Sequence, residues 1–77
     1  MKEKLRSYFM EDEFKLIYIE NKVNIINYES IGQIDINKII IRKNNGSVII
    51  NGNNLVVSKL LNKEILIDGK ILNIEFR

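Results

Sequence analysis

From Phe14 to the C-terminus, the chain alternates between short apolar segments and clusters of Asn, Gly and Asp. The longest apolar runs, at residues 16–19 and 39–41, have the length of strands. Turn residues at such short intervals favour antiparallel strands joined by tight turns. The sequence therefore predicts an all-β fold, with seven or eight strands in an antiparallel meander that forms a small sandwich or barrel.

The predicted strands cover residues 14–20, 23–28, 33–36, 38–43, 47–51, 55–60, 64–67 and 70–76. The clearest turn lies at residues 44–47, where Asn45-Gly46 supplies the positive φ angles of a type I′ hairpin. The sequence also predicts reversals at residues 51–54 and 68–69 and a two-residue hairpin across residues 21–22. The apolar positions change from even-numbered residues, 34 and 36, to odd-numbered ones, 39 and 41. This change predicts a bulge or bend near residue 37.

Residues 1–13 are predicted to form an N-terminal helical segment, followed by a single all-β domain at residues 14–77. Met1, Leu5, Tyr8 and Phe9 would share one face of this helix. Basic residues at its start and acidic residues at its end oppose the helix dipole, so the helix should be marginal unless it is docked. We expect it to cover an open end of the sheet; contact with a membrane surface is the alternative.

Several predicted strands have apolar residues on both faces. A half-exposed antiparallel strand should instead alternate between apolar and polar residues. A domain of this size cannot readily cover both faces of so many strands. We therefore expect a second copy of the chain or another protein to cover the outer faces. The candidate interface residues are Ile17, Ile19, Ile40, Ile49 and Val56. The alternative is a compact sandwich that buries both faces by itself.

The residue types exclude most catalytic and metal sites. The chain has no Cys and no His, which removes thiol nucleophiles, Ser-His-Asp triads and the usual zinc ligands. The carboxylates are isolated in sequence, and the glycines are dispersed rather than gathered in a phosphate-binding loop. We therefore expect no enzyme activity, no catalytic residue, no cofactor and no metal.

Charge and hydropathy restrict the partners. The net charge is +2, and the densest basic stretch is Lys38, Arg42 and Lys43 beside a turn, which is more typical of a solvated edge than of a phosphate track. We expect no nucleic-acid partner. No apolar run approaches the ~20 residues of a membrane helix and no export signal is visible, so we expect a cytoplasmic protein without direct membrane insertion.

Two stretches resemble the YabP/YqfC family of small sporulation proteins. The first is LIYIEN at residues 16–21 with IINY at residues 25–28, and the second is GSVIINGNNLVV at residues 46–57 with EILIDGKI at residues 64–71. The shared pattern is a strand, Gly-x-x-Leu, another strand, and an apolar strand with Gly before the last one. The residues that match this pattern or its turns are Glu20, Asn21, Gly46, Gly52, Leu55, Asp68 and Gly69. Each has a structural explanation in a turn, in the core or at a strand end.

The resemblance implies a non-enzymatic protein of endospore-forming bacteria, made in the mother cell and needed for spore maturation. It also implies a membrane-protein partner at the forespore surface. Together with the two-sided strands, it predicts a structural or scaffolding role in which the chain also forms a homo-oligomer. Two alternatives stay open: a small Sm-like RNA-binding barrel, and an enzyme that acts through a Lys or a lone carboxylate. The aromatic residues lie towards the chain ends and away from residues 38–43, which counts against RNA binding.

Overall fold

The computed structural model describes residues 13–77, and every regular element among them is a β-strand. The strands are β1 (Lys15–Ile19), β2 (Lys22–Ile26), β3 (Ser30–Ile34), β4 (Lys38–Lys43), β5 (Gly46–Leu61) and β6 (Glu64–Phe76). They form one six-stranded antiparallel sheet with the order β1-β2-β6-β5-β4-β3. The all-β antiparallel prediction is confirmed. The helix predicted for residues 1–13 lies outside the described residues, except for Glu13, which belongs to no regular element.

The prediction of seven or eight strands is wrong for the described chain, because its two longest strands each replace two predicted ones. β5 continues through residues 51–54 and β6 continues through residues 68–69, where the sequence predicts reversals. In β5, the pairing register shifts after Asn51 and again after Asn53. Positive φ angles of 55° at Asn54 and 137° at Gly69 let both strands bend while they stay paired. The Asn and Gly residues therefore produce bulges and a bend here, and no turn.

The tight hairpin turns lie one residue away from their predicted positions. They occupy residues 20–21 and 44–45, and Gly46 is already the first residue of β5. Asn21 and Asn45 adopt positive φ angles of 65° and 67°, which Asn tolerates better than most residues with a side chain. The turn between β5 and β6 lies at residues 62–63. That turn lacks Gly, but it falls between the strands predicted at residues 55–60 and 64–67.

The connection from β2 to β3 departs from the predicted meander. Strands β3 to β6 are consecutive neighbours, but the β1-β2 hairpin pairs with β6 and not with β3. β2 pairs only with the first part of β6, and β4 pairs only with the first part of β5. The sheet therefore has two halves. The first half contains β1, β2 and residues 56–61 and 64–68, and the second half contains β3, β4 and residues 46–53 and 70–76.

The core lies on one face of the bent sheet, between the two halves. Along β2 and β4, buried residues alternate with more exposed ones, as expected for a strand with one buried face. The fully buried side chains are Val23, Ile25, Ile65 and Ile67 of the first half and Ile39, Ile41, Val48 and Ile50 of the second. Tyr28 and Leu55 complete this cluster. We call this face the inner face and the opposite one the outer face. Within residues 13–77, β1 and β3 end the sheet without pairing to each other, so the sheet is open and is not a closed barrel.

Candidate functional site

Three of the pattern residues, Gly52, Leu55 and Gly69, meet where β5 and β6 bend. A β carbon on Gly52 would lie 2.9 Å from Leu55 Cδ2, and one on Gly69 would lie 3.1 Å from the same atom. Leu55 is buried, so its side chain fills the corner that the two glycines leave open. The Leu55 amide donates to the Ile36 carbonyl at 2.8 Å, which ties the bend to the connection between β3 and β4. These three residues shape the fold and offer no reactive group.

Two more pattern residues, Asn21 and Asp68, lie on the other side of the bend. The Gly69 amide donates to the Asn21 carbonyl at 3.2 Å, and Lys22 Nζ donates to Asp68 Oδ1 at 3.0 Å. This hydrogen bond from Lys22 lowers the pKa of the Asp68 carboxyl below its ordinary value. A carboxylate held ionised in this way is a poor proton donor or acceptor at neutral pH. The open depression between Lys22 and Lys70 therefore has an ion pair as its main polar feature.

The two remaining pattern residues also have structural roles. Glu20 is exposed in the turn between β1 and β2. Gly46 starts β5 beside the C-terminal residue, and a β carbon there would overlap the Arg77 carbonyl. Among residues 13–77, no group of three or more His, Cys, Asp or Glu side chains is placed to hold a metal ion.

Three of the five candidate interface residues lie together on the outer face of the first half. Ile17, Ile19 and Val56 have exposed fractions of 45%, 63% and 57%. The strand register places three further aliphatic side chains on the same face. We call the six residues the outer patch: Ile17, Ile19, Ile26, Val56, Leu61 and Leu66. Leu61 is 51% exposed, whereas Ile26 and Leu66 are half-buried between their neighbours.

The polar side chains within the outer patch are mostly paired with one another. Lys22 and Asp68 form the ion pair described above, and Asn24 Nδ2 donates to Glu64 Oε2 at 3.3 Å. Asn24 Oδ1 is buried and has no hydrogen-bond partner among the described residues. Lys15 and Lys59 are exposed on the same face, so the patch combines aliphatic side chains with paired polar groups and solvated lysines.

The other two candidate interface residues, Ile40 and Ile49, lie elsewhere. They face each other across the β4-β5 ladder on the outer face of the second half. Both are half-buried, so they present less apolar surface than the residues of the outer patch. The structure thus divides the predicted interface into two separate groups.

The basic stretch on β4 has an aromatic neighbour, contrary to the sequence prediction. Lys38 and Arg42 are exposed, but the Lys43 ammonium lies over the Phe14 ring, 5.5 Å from its centroid. The expected separation of aromatic and basic residues is therefore wrong for Phe14. The ring also packs against the core, so Lys43 and the core occupy the surfaces on which a nucleic-acid base would stack.

Comparison with known proteins identifies the family. A family model described as the YabP family matches residues 12–77, a range that includes all six strands and the bend. No curated protein and no solved structure matches the chain. Residues 13–77 contain no helix with the length and hydropathy needed to cross a bilayer. Since the match spans most of the sequence, the chain belongs to the YabP family.

Proposed function

We propose that this protein is a non-enzymatic sporulation protein that acts in the mother cell as a structural or scaffolding module. Membership of the YabP family supports the link to sporulation. The outer patch carries the proposed mechanism, because it presents exposed aliphatic side chains on a regular sheet face. The partners that we propose are a second copy of the chain and a membrane protein at the forespore surface, with this protein peripheral to that membrane.

The energy for such binding comes from the burial of apolar surface. Burying a side chain of this size in full contributes roughly 1.5–3 kcal/mol, so a half-exposed one contributes about half of that. The four exposed residues of the patch, Ile17, Ile19, Val56 and Leu61, would together supply several kcal/mol before the cost of association is subtracted. Lys22 and Asp68 would enter the interface already bonded to each other, which reduces the cost of removing them from water.

The proposal is tested by charging the outer patch without disturbing the core. Val56→Lys and Leu61→Lys replace exposed side chains, so both variants should fold with an unchanged circular dichroism spectrum. Each variant is expressed in an endospore-forming bacterium whose own copy has been deleted, and heat-resistant spores are counted. We expect a loss of at least tenfold for both variants.

Leu72→Lys is the matched control, because Leu72 is 58% exposed and lies outside the outer patch. This variant should restore spore formation to the level of the unaltered protein. Normal spore numbers with folded Val56→Lys and Leu61→Lys variants would overturn the proposal.

A further inference from the structure

Four segments of the described sheet have one side of the backbone unpaired. They are β1, β3, residues 56–61 of β5 and residues 70–76 of β6. Three of these edges contain a bulge, at Gly32, Ser58 and Leu72. A bulge twists an edge and interrupts pairing with an incoming strand, and natural proteins use bulges to protect edges in this way. β1 pairs regularly along its full length and lacks this protection.

The direction of the free backbone groups on β1 follows from its pairing with β2. The Asn21 carbonyl and the Asn27 amide bond to β6. Because successive residues of a strand direct their backbone N–H and C=O groups to opposite sides, the even-numbered residues of β2 direct theirs towards β1. These residues pair with Ile19, Ile17 and Lys15. The backbone N–H and C=O groups of Leu16 and Tyr18 therefore point away from the sheet, towards the open side.

The side chains along this edge are also apolar. Ile17, Tyr18 and Ile19 are all exposed, and Lys15 is the only charged residue of β1. A regular, unprotected and mainly apolar edge favours the addition of another strand.

We propose that the β1 edge pairs with β1 of a second copy of the chain, in an antiparallel arrangement with its two-fold axis at Ile17. In this register, Leu16 lies opposite the partner's Tyr18, and the two exchange backbone hydrogen bonds on both sides of the axis. The inner face gains two aromatic–aliphatic pairs, and such cross-strand pairs stabilise sheets. This inference rests on the proposed function and deepens it, because it assigns the second copy to one edge of the sheet and one register.

Two features favour a second copy over a strand from another protein. The register places every residue of β1 opposite another β1 residue without opposing two like charges, since Lys15 lies opposite the partner's Ile19. Ile17 and Ile19 also belong to the outer patch, so the two-fold axis places the outer patches of the two copies side by side on one face of the joined sheet. Identical patches that meet across a two-fold axis are the usual basis of homodimers.

The dimer should be weak. A five-residue edge buries less than the ~1,200 Å² that marks the lower limit of standard stable interfaces. We therefore expect the chain to dimerise at high concentration and to dissociate on dilution.

The test uses charge at the two-fold axis, because only this register places position 17 opposite itself. We expect Ile17→Lys and Ile17→Glu each to raise the dimer dissociation constant at least tenfold, measured by sedimentation over a dilution series at low salt. An equimolar mixture of the two variants should form a mixed dimer, because opposite charges then meet at the axis. Leu72→Lys should dimerise like the unaltered chain, since Leu72 is exposed in the second half of the sheet, outside the outer patch and distant from β1.

Tyr18→Pro gives an independent test of the backbone pairing. Pro lacks an amide hydrogen and is tolerated at an edge position whose N–H is unpaired. This variant should remain folded by circular dichroism and become monomeric.

A monomeric unaltered chain at every concentration would overturn the inference, as would dimers of Ile17→Lys alone that match those of the unaltered chain. A strictly monomeric chain would also remove the second copy from the proposed partners. The scaffolding role and the membrane-protein partner would stand, because they are tested separately by spore formation with Val56→Lys and Leu61→Lys.

Discussion

A β carbon on Gly52 would overlap the carbonyl oxygen of Lys70, so β5 and β6 approach each other here more closely than a side chain permits. This contact lies at the bend that divides the sheet into two halves. It gives a physical reason for Gly in the Gly-x-x-Leu segment: the position needs the absence of a side chain. The Leu of the same segment, Leu55, then fills the space beside it.

Replacing Gly52 should therefore be costly. We expect Gly52→Ala to lower the free energy of unfolding by about 1–3 kcal/mol, the usual range for overpacking at a site that must shift. Urea denaturation followed by circular dichroism measures this change. The control is Gly32→Ala, where the closest atom is Cγ2 of Ile40 at 3.2 Å, a side-chain atom that can move. Equal unfolding midpoints for the two variants would contradict the prediction.

Leu55 should contribute more to stability than its position between Asn and Val residues suggests. Because it is buried at the corner, Leu55→Ala leaves a cavity between the two strands, and we expect a loss of about 2–5 kcal/mol. Leu72→Ala removes the same side chain from an exposed bulge and should change stability by less than about 0.5 kcal/mol. Chemical denaturation measures the free energy of unfolding of both variants. A loss for Leu55→Ala as small as that for Leu72→Ala would contradict the prediction and would mean that the corner is loosely packed.

The turn between β5 and β6 contains a residue, Lys63, whose replacement should stabilise the fold. Lys63 has a φ angle of 66°, a left-handed conformation that costs most L-residues about 1 kcal/mol and that Asn adopts more readily. We expect Lys63→Asn to raise the free energy of unfolding by about 0.5 kcal/mol. Lys59→Asn removes the same charge from a strand and should give no gain. A lower melting temperature for Lys63→Asn than for the unaltered chain would refute this prediction.

The Lys22–Asp68 ion pair should make stability depend on acidity. The pKa of Asp68 is lowered in the folded chain, mainly by the hydrogen bond from Lys22, so the ionised carboxylate favours folding. This contribution is complete above the ordinary carboxyl pKa of about 3.8 and is lost as the pH falls through the lower folded value. We expect Lys22→Gln to move the pKa of Asp68 back towards 3.8, which NMR titration of the carboxyl carbon measures. An unchanged titration curve would show that Lys22 does not set this pKa.

Most of the strands could be predicted because their signal is local. Short apolar runs such as residues 39–41, bounded by turn residues, have the length and composition of strands. A strand shows this pattern whichever neighbour it acquires. The all-β architecture therefore follows from short segments read one at a time.

The strand count failed because Asn and Gly permit both a turn and a bulge. At residues 51–54 and 68–69, the choice depends on pairing between segments that are far apart in sequence, such as Asn51 with Asn73. The real reversal at residues 62–63 is stabilised in part by a hydrogen bond from the Asn27 amide to the Lys63 carbonyl at 2.6 Å. No local pattern predicts that contact.

The outer patch could be predicted only in part for the same reason. Ile17, Ile19 and Val56 stand out because apolar residues occupy both faces of their strands. Leu61 does not stand out, because its face is set by the bulge at Ser58, which reverses the alternation between Val57 and Lys59. Leu66 joins the patch only through the register of β6 with β2.

The passage of β5 and β6 through both halves also sets an order for folding. These two strands are joined by a short turn, and β3, β4 and β5 follow one another both in sequence and in the sheet. In contrast, β2 must meet β6 across a long separation, since Lys22 and Asp68 are 46 positions apart. Contacts that close long loops form late, because the chain loses entropy before it gains contacts. Until the β1-β2 hairpin docks, residues 64–68 present a vacant edge that the same hairpin of another molecule can occupy, so concentrated refolding should produce domain-swapped species.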